Sequence, residues 1–560
     1  MSDMLFYSLL GFAAVVIAAI VIFIKKRRAL KRLEQSLEKR WGKAPAEKYK
    51  HEDLQAISGY YANYSAQHGA EGLIDDITWN DLDMDDVFQR ISNTCSTAGE
   101  EYLYKLLREP VFADGELNER NRLIELFRGD PGSRKKLQLQ LARLGKRRFT
   151  RVSDYFFNDK KEISMRGRNY ILLLAALLVS PLVIVLSPSL GILMFVAVFI
   201  TNMTVYYRAK NDREVYLDSL GYVINLIVYS KKIAAAGIPG LEEYTETLRK
   251  TADSIKGFSI KSFYQIFYQT NDVFLEPLKV IFLVDLIAFE SLLKKVFRYR
   301  NEIGQLYETL GKLDAMLSAA SYRESLEYYT VPVFAEEGPI SLSFTEAYHP
   351  LIEDPVANSL TMSKSILITG SNASGKSTFL KTAAINAILA QTINTCLAKS
   401  YATSRFMIYT SMALKDSLSN NESYYIAEIK SLKRVFDRIG GETPILCMID
   451  EVLRGTNTIE RIAASSEVLK RLGGGNCLCI AATHDIELVT LLKNYYGNYH
   501  FQENFRDNDI VFDYKIYPGK STTRNAIKLL SLMGYSESVV ASAAERAEKF
   551  AAEGKWQEIV

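Results

Sequence analysis

The chain opens on an almost unbroken apolar stretch, Leu5–Ile24, closed at once by Lys25, Lys26, Arg27 and Arg28. About 20 apolar residues suffice to cross a bilayer as a helix. The positive charge follows the apolar run and no small-residue cleavage site comes after it, so the pattern predicts an uncleaved anchor with its basic side in the cytoplasm. From Ala29 to Met165 the chain reads as polar and mainly helical. A second apolar region, Ile171–Tyr206, is interrupted in its middle by Ser187, Pro188 and Ser189 and is flanked by Arg166, Arg168, Arg208 and Lys210. Basic flanks on both sides predict a tight hairpin of two short passes with both ends cytoplasmic. From Asn211 to Ser325 apolar residues recur at helical spacing, as at Leu217, Leu220, Ile224 and Ile227, with a break at Gly237, Pro239 and Gly240. Further on, short continuous apolar runs end in glycines or charged residues, the pattern of buried strands delivering polar groups at their tips.

These changes of pattern divide the 560 residues into an anchor (1–28), a helical region (29–165), a membrane hairpin (166–210), a helical lever (211–330) and an α/β domain (331–560). The expected fold is an α/β P-loop NTPase domain preceded by an all-α core or lever domain bearing transmembrane helices. Composition narrows the function less. A net charge of +3 leaves no global nucleic-acid footprint, so a DNA surface would have to be a local patch. The basic run from Arg134 to Arg151 is one candidate for phosphates of DNA or of the anionic leaflet, against the commoner reading of a solvated helical face. Five cysteines without a Cys-x-x-Cys pair read as reduced thiols rather than a metal site.

The chemistry concentrates in three runs. Ile366–Thr378, ILITGSNASGKST, follows a strand with the GxxxxGKS spacing, from Gly370 through Ser371, Asn372, Ala373 and Ser374 to Gly375, Lys376, Ser377 and Thr378. Glycines permit a tight loop whose N–H groups face a phosphate chain, and a helix starting near Lys376 adds its positive end. Lys376 is the expected partner of the β- and γ-phosphates of ATP and Ser377 of Mg²⁺. The second run, Pro444–Glu451, ends in two adjacent carboxylates, which are costly at the tip of a buried strand unless a cation faces them. Asp450 then orders Mg²⁺ and Glu451 polarises the attacking water. Cys477–Thr483, the third run, delivers His484 as a γ-phosphate sensor.

From about Glu346 to Glu548 the sequence resembles the MutS family of mismatch-repair ATPases. The resemblance rests on His349-Pro350, TGSNASGKST, DEVLRGTNT (Asp450–Thr458), ATHD (Ala482–Asp485) and YKIYPGKSTTRNAIKLLSLMG (Tyr514–Gly534). Upstream, Thr97-Ala98-Gly99, LYKLLREP (Leu103–Pro110), NERNRLIELF (Asn118–Phe127) and LDAMLSAA (Leu313–Ala320) are similar to parts of the family's helical core, with the hairpin inserted between them. The resemblance implies Mg²⁺ with ATP, a homodimer paired partly through Ser536–Glu548, and Ser423 reaching the partner's nucleotide as a trans-acting signature residue. Asn421 and Leu453 stand where the family usually has glycine, and Pro355 where an aromatic would stack on adenine. The stretch before Thr97 holds no Phe-x-Glu mismatch wedge.

The expected function is therefore a membrane-anchored ATPase that hydrolyses ATP, lacks the mismatch-reading domain, and acts on DNA in a repair- or recombination-related role. It would sit multi-pass in the plasma membrane with the ATPase domain cytoplasmic. The alternative is an ATP-driven membrane motor or switch scaffold that does not bind DNA.

Overall fold

The computed structural model describes residues 2–46, 48–147, 150–157, 167–256, 280–335, 338–371, 374–412, 424–454, 457–506, 509–520, 527, 530–531, 533–556 and 558. Up to residue 325 the described chain is helical: α1 (Ser2–Arg40), α2 (His51–His68), α3 (Asp76–Asp81), α4 (Met84–Ile91), α5 (Thr97–Leu107), α6 (Asp114–Gly129), α7 (Pro131–Leu144), α8 (Asp154–Phe157), α9 (Gly167–Leu186), α10 (Pro188–Ala234), α11 (Glu242–Ser254), α12 (Val284–Arg298) and α13 (Arg300–Glu324). It folds into two compact units. One holds residues 1–71, 88–107 and 118–325, and the other holds 72–87, 108–117 and 326–560. Two segments that read from sequence as part of the helical region, 72–87 and 108–117, thus belong to the second unit, where Asp75 pairs with Arg434 and Asp114 with Arg405.

Within the first unit α13 packs on α5, and α2 covers α5 from another side. Gly311 lies so close to Ala98 and Tyr102 that a Cβ there would come within 2.8 Å of the Ala98 carbonyl, so the two helices touch backbone to backbone. The buried Tyr60, Tyr222 and Tyr307 fill the space around this crossing. α1 is one continuous helix whose basic half packs on α7, where Lys135 pairs with Glu38.

The second apolar region is a helical hairpin, but its helices differ from the short halves expected. α9 starts before Ile171, and α10 runs from Pro188 through the expected boundary at residue 210 to Ala234 without a break. A helix continues wherever its backbone bonds can, so the switch from apolar to charged side chains near Arg208 does not end α10. Among the described residues, Asn169–Leu186 and Pro188–Arg208 are long and apolar enough to cross a membrane. Their outer faces expose Leu182, Leu186, Leu190 and Leu193. Near the turn, Gly191 lets α10 pass against the backbone of Ile184.

The basic run at 134–151 is largely engaged inside the first unit. Arg134 stacks over Trp41, Lys135 pairs with Glu38, and Lys146 pairs with Glu100 while donating to the Tyr49 hydroxyl at 3.0 Å. Arg148 lies outside the described residues.

In the second unit β1 (Val333–Phe334), β2 (Leu342–Ala347), β3 (Asn358–Met362) and β5 (Ser400–Thr403) form a small sheet ordered β1-β5-β2-β3. The main sheet contains β4 (Ile366–Thr369), β6 (Met407–Ser411), β7 (Ile445–Asp450), β8 (Cys477–Ala482), β9 (Gly497–Arg506) and β10 (Asp509–Pro518) in the order β10-β9-β4-β8-β7-β6. Every pair is parallel except the β9–β10 hairpin. Strands β4, β7 and β8 are buried on both faces, which is why they read as continuous apolar runs. Among the described residues, α3 is joined in this unit by α14 (Lys376–Ile393), α15 (Tyr424–Phe436), α16 (Thr458–Leu472), α17 (Ile486–Leu491) and α18 (Glu537–Glu553). α15 and α16 bury Val435, Leu469 and Leu472 with Ile445, Cys447 and Cys479 of the sheet. Cys447 and Cys479 face each other in register as free thiols.

Candidate functional site

Three parallel strands end side by side. β8 lies between β4 and β7, with Ile368 and Asp450 each in register with Ala482. The residues after those strands are therefore brought to one edge, the place where open parallel sheets bind ligands. β4 leads into Gly370 and the loop to Gly375. β7 ends in Asp450 and continues into Glu451. β8 is followed by Thr483 and His484, with the Thr483 N–H donating to the Ile368 carbonyl at 3.0 Å.

The loop after β4 has the conformation its glycines allow. Gly370 (φ 149°) and Gly375 (φ 106°) lie in the left-handed region, and a Cβ on Gly370 would meet the Phe501 carbonyl at 3.0 Å. Lys376 opens α14 and folds back across the loop, donating to the carbonyls of Gly370 at 2.8 Å and Ser371 at 2.7 Å. Burial pushes its ammonium down to about 8, against the pull of Asp450 and Glu451. The buried hydroxyls of Ser371 and Ser374 have no hydrogen-bond partner among the described residues. Such orphaned groups in a glycine loop at a helix N-terminus fit an anion.

Ser377 donates to Asp450 Oδ2 at 2.5 Å, which places a hydroxyl and a carboxylate side by side. Hard oxygen donors of this kind suit Mg²⁺, which keeps most of its shell as water and phosphate oxygen. His484 Nε2 lies 3.0 Å from Glu451 Oε1 and 3.4 Å from Lys376 Nζ. Burial alone would raise the Glu451 carboxyl, but the hydrogen bond from His484 and the charge of Arg454 hold it below the usual value. Arg454 closes an ion pair on Glu451 from three residues downstream. Glu451 and Leu453 both have positive φ, 61° and 57°. Leu453 thus adopts a glycine-like conformation despite its side chain.

Lys376, Ser377, Asp450, Glu451 and His484 accordingly converge. Thr378 points to a neighbouring cavity of about 360 Å³ lined also by His349, Pro355, Val356 and Tyr514. Asn372, Ala373 and Ser423 lie outside the described residues. Sequence reasoning missed Tyr514 with its partner Asn358, Arg461 and Glu428. Tyr514 (φ 54°) lies against Gly375, where a Cβ would be 3.2 Å from its ring, and its carbonyl accepts from Asn358 at 2.9 Å. Arg461 makes two bonds to Asp485, at 2.7 and 3.0 Å, bracing the residue after His484. Glu428 accepts the backbone N–H of Leu453. No spacing in the sequence flags these contacts, because each joins separate elements.

Residues 366–551 match the family described as MutS domain V. MutS protein homolog 4 of Mus musculus is 30% identical over 268 residues, covering 45% of this chain and 27% of that protein. DNA mismatch repair protein MutS of Thermotoga maritima is 28% identical over 275 residues, 47% of this chain and 33% of the relative. A protein of the same name from Thermus thermophilus is 29% identical over 297 residues, 49% of this chain and 35% of the relative. The chain spans about a third of the length of these curated relatives.

Proposed function

Residues 366–551 belong to the MutS family as its domain V, and on that premise we propose that the chain is a membrane-anchored ATPase whose cytoplasmic engine acts on DNA. The observation that carries the ATPase reading is the convergence of Lys376, the Ser377–Asp450 pair and the His484–Glu451 pair at three adjacent strand tips. Together they supply every role a hydrolytic phosphate site needs.

The loop N–H groups and Lys376 hold the triphosphate, and the carbonyls Lys376 now satisfies are released when phosphate takes their place. Ser377 and Asp450 would hold Mg²⁺, which neutralises phosphate charge. Glu451, kept ionised by His484 and Arg454, orients a water and accepts its proton. His484, between Glu451 and Lys376, reports whether a γ-phosphate is present. The cavity beside Thr378 suits the base, with Tyr514 supplying the aromatic wall that Pro355 lacks.

Membrane attachment is supported by the apolar outer faces of α9 and α10 and by the apolar half of α1. Action on DNA is supported by the relatives named as mismatch repair proteins. The chain would work as a homodimer, with Ser423 reaching the partner's nucleotide. A membrane motor is the second reading, favoured by one observation: α10 carries the hairpin and the lever as a single helix.

Phosphate release by the full chain in lipid nanodiscs, with and without homoduplex, mismatched and branched DNA, tests the proposal. Stimulation by one DNA form that fades with salt supports the DNA reading. A rate indifferent to every DNA form rejects it in favour of the motor.

A further inference from the structure

We propose that Glu428 is a positioning residue for the Glu451 carboxylate, acting through the backbone of the 451–454 turn without touching nucleotide. This rests on the ATPase reading of the same site. Glu428 lies one turn into α15 and is 6% exposed. Its Oε1 accepts the N–H of Leu453, 25 positions downstream.

The turn that receives this bond is strained. Glu451 and Leu453 are both non-glycine residues at positive φ. A left-handed conformation costs an L-residue roughly 1–2 kcal/mol, and it persists only where the surroundings over-determine it. Hydrogen bonds to three partners do so here. The Glu451 N–H donates to the Ala482 carbonyl at 2.9 Å, and Ser465 Oγ on α16 donates to the Val452 carbonyl at 3.2 Å. Glu428 supplies the third, and of the three acceptors it is the charged one.

A carboxylate is an expensive choice for a buried anchor. It is desolvated, with the charge of Arg454 set against the like charge of Glu451, and its Oε2 has no hydrogen-bond partner among the described residues. Burying such a group brings little stability, because desolvation outweighs what its bonds from the Leu453 and Arg454 backbone return. A charge-assisted bond is, however, shorter and stiffer than a neutral one. Stiffness matters at this point, since Leu453 sits between the catalytic carboxylate and Arg454, which pairs with it. A turn free to relax at Leu453 would carry both ends of that ion pair with it, and about 1 Å of misplacement at a reacting group can cost on the order of 10²-fold in rate. Glu428 therefore holds Glu451 where the water must be, at the expense of local stability.

The test is steady-state ATP hydrolysis and fluorescent-nucleotide affinity of the full chain in nanodiscs for wild type, Glu428→Ala, Glu428→Gln and Glu428→Asp, with Glu451→Gln as the blank. Ala should lower kcat by about tenfold or more and leave nucleotide affinity within about twofold. Gln keeps an acceptor oxygen at the same reach but loses the charge, so it should recover part of kcat and rank between wild type and Asp. Asp keeps the charge but falls one methylene short, so it should resemble Ala. Should Ala fail to fold, the order of Gln above Asp decides the matter. An unchanged kcat in Asp, a loss of affinity parallel to the loss of kcat, or Gln no better than Asp would overturn the proposal. Failure of the ATPase reading itself has a different signature, a wild-type rate no faster than Glu451→Gln.

Discussion

Asp314 accepts a 2.6 Å hydrogen bond from the hydroxyl of Ser96, 218 positions earlier in the chain, and takes the Ser96 backbone N–H at 2.8 Å with the same oxygen. The bond joins α13 to the start of α5. These are the two stretches that sequence resemblance assigns to one helical domain, and the hairpin is inserted between them. The contact therefore joins the chain on either side of the hairpin.

Gly99 makes that contact possible. A Cβ at this position would lie 2.1 Å from Asp314 Oδ2. Gly99→Ala must move α5 or break the Asp314 network, and a loss of about 1–3 kcal/mol is expected. Denaturant unfolding of the variant against wild type measures it; an unchanged midpoint would show that the helices are free to separate there.

Two buried carboxyls make the helical unit sensitive to pH. Burial pushes Asp314 up to about 6 against the bonds from Ser96 and Cys95, and Glu101 up to about 8 against the bond from Tyr307. Each folded value lies above the unfolded one, so the folded state binds the proton more tightly. The contribution to stability is fully present below the unfolded values near 4 and is lost as pH rises through about 6 for Asp314 and about 8 for Glu101. Unfolding midpoints between pH 4 and 8 should fall with rising pH. Glu101→Gln should remove the slope that wild type shows above pH 6, and a slope that survives in that variant assigns it to other groups.

Much of the candidate site was legible because parallel strands buried on both faces announce themselves as unbroken apolar runs and hand over their tip residues in order. Gly370, Lys376, Ser377, Asp450, Glu451 and His484 could be read in this way. Tyr514 and Asn358 could not, since their bond spans 156 positions, neither carries a charge, and the motif that Tyr514 opens gave its ring no role. Nor could Glu428, one of many glutamates on helices until the fold aims it at Leu453. The boundary placed at residue 210 shows another limit. Hydropathy reports the polarity of side chains and not where a helix ends, and α10 continues through the change from apolar to charged residues.

Glu451→Gln should retain ATP and lose turnover by about 10²-fold or more, because the amide cannot accept the proton of the attacking water. Nucleotide affinity and phosphate release measured on one preparation separate the two effects. Hydrolysis at the wild-type rate would move the base to another group.

Lys376→Ala removes the ammonium that bridges the loop carbonyls and should weaken ATP binding by at least about tenfold, or 1.4 kcal/mol. Tyr514→Ala should weaken ATP by a similar factor while inorganic triphosphate binds as before, since the ring lines the cavity beside the loop. Equal losses for both ligands would remove Tyr514 from the base pocket.

The proposed membrane topology makes a prediction that does not depend on activity. Ser187 sits at the turn between α9 and α10, where both apolar helices reverse. If the hairpin crosses the bilayer from the cytoplasm, this turn lies outside the cell and the exposed Lys364 of the ATPase domain lies inside. Of the five native cysteines, four are buried and Cys95 is half-buried, so background labelling by a bulky reagent is low. Ser187→Cys should react with a membrane-impermeant maleimide on intact cells, and Lys364→Cys only after permeabilisation. Labelling of Lys364→Cys on intact cells would invert the protein. Protection of Ser187→Cys until permeabilisation would mean that α9 and α10 lie along the cytoplasmic face, and the long helix α10 would then link the ATPase-bearing chain to a membrane surface rather than to a span.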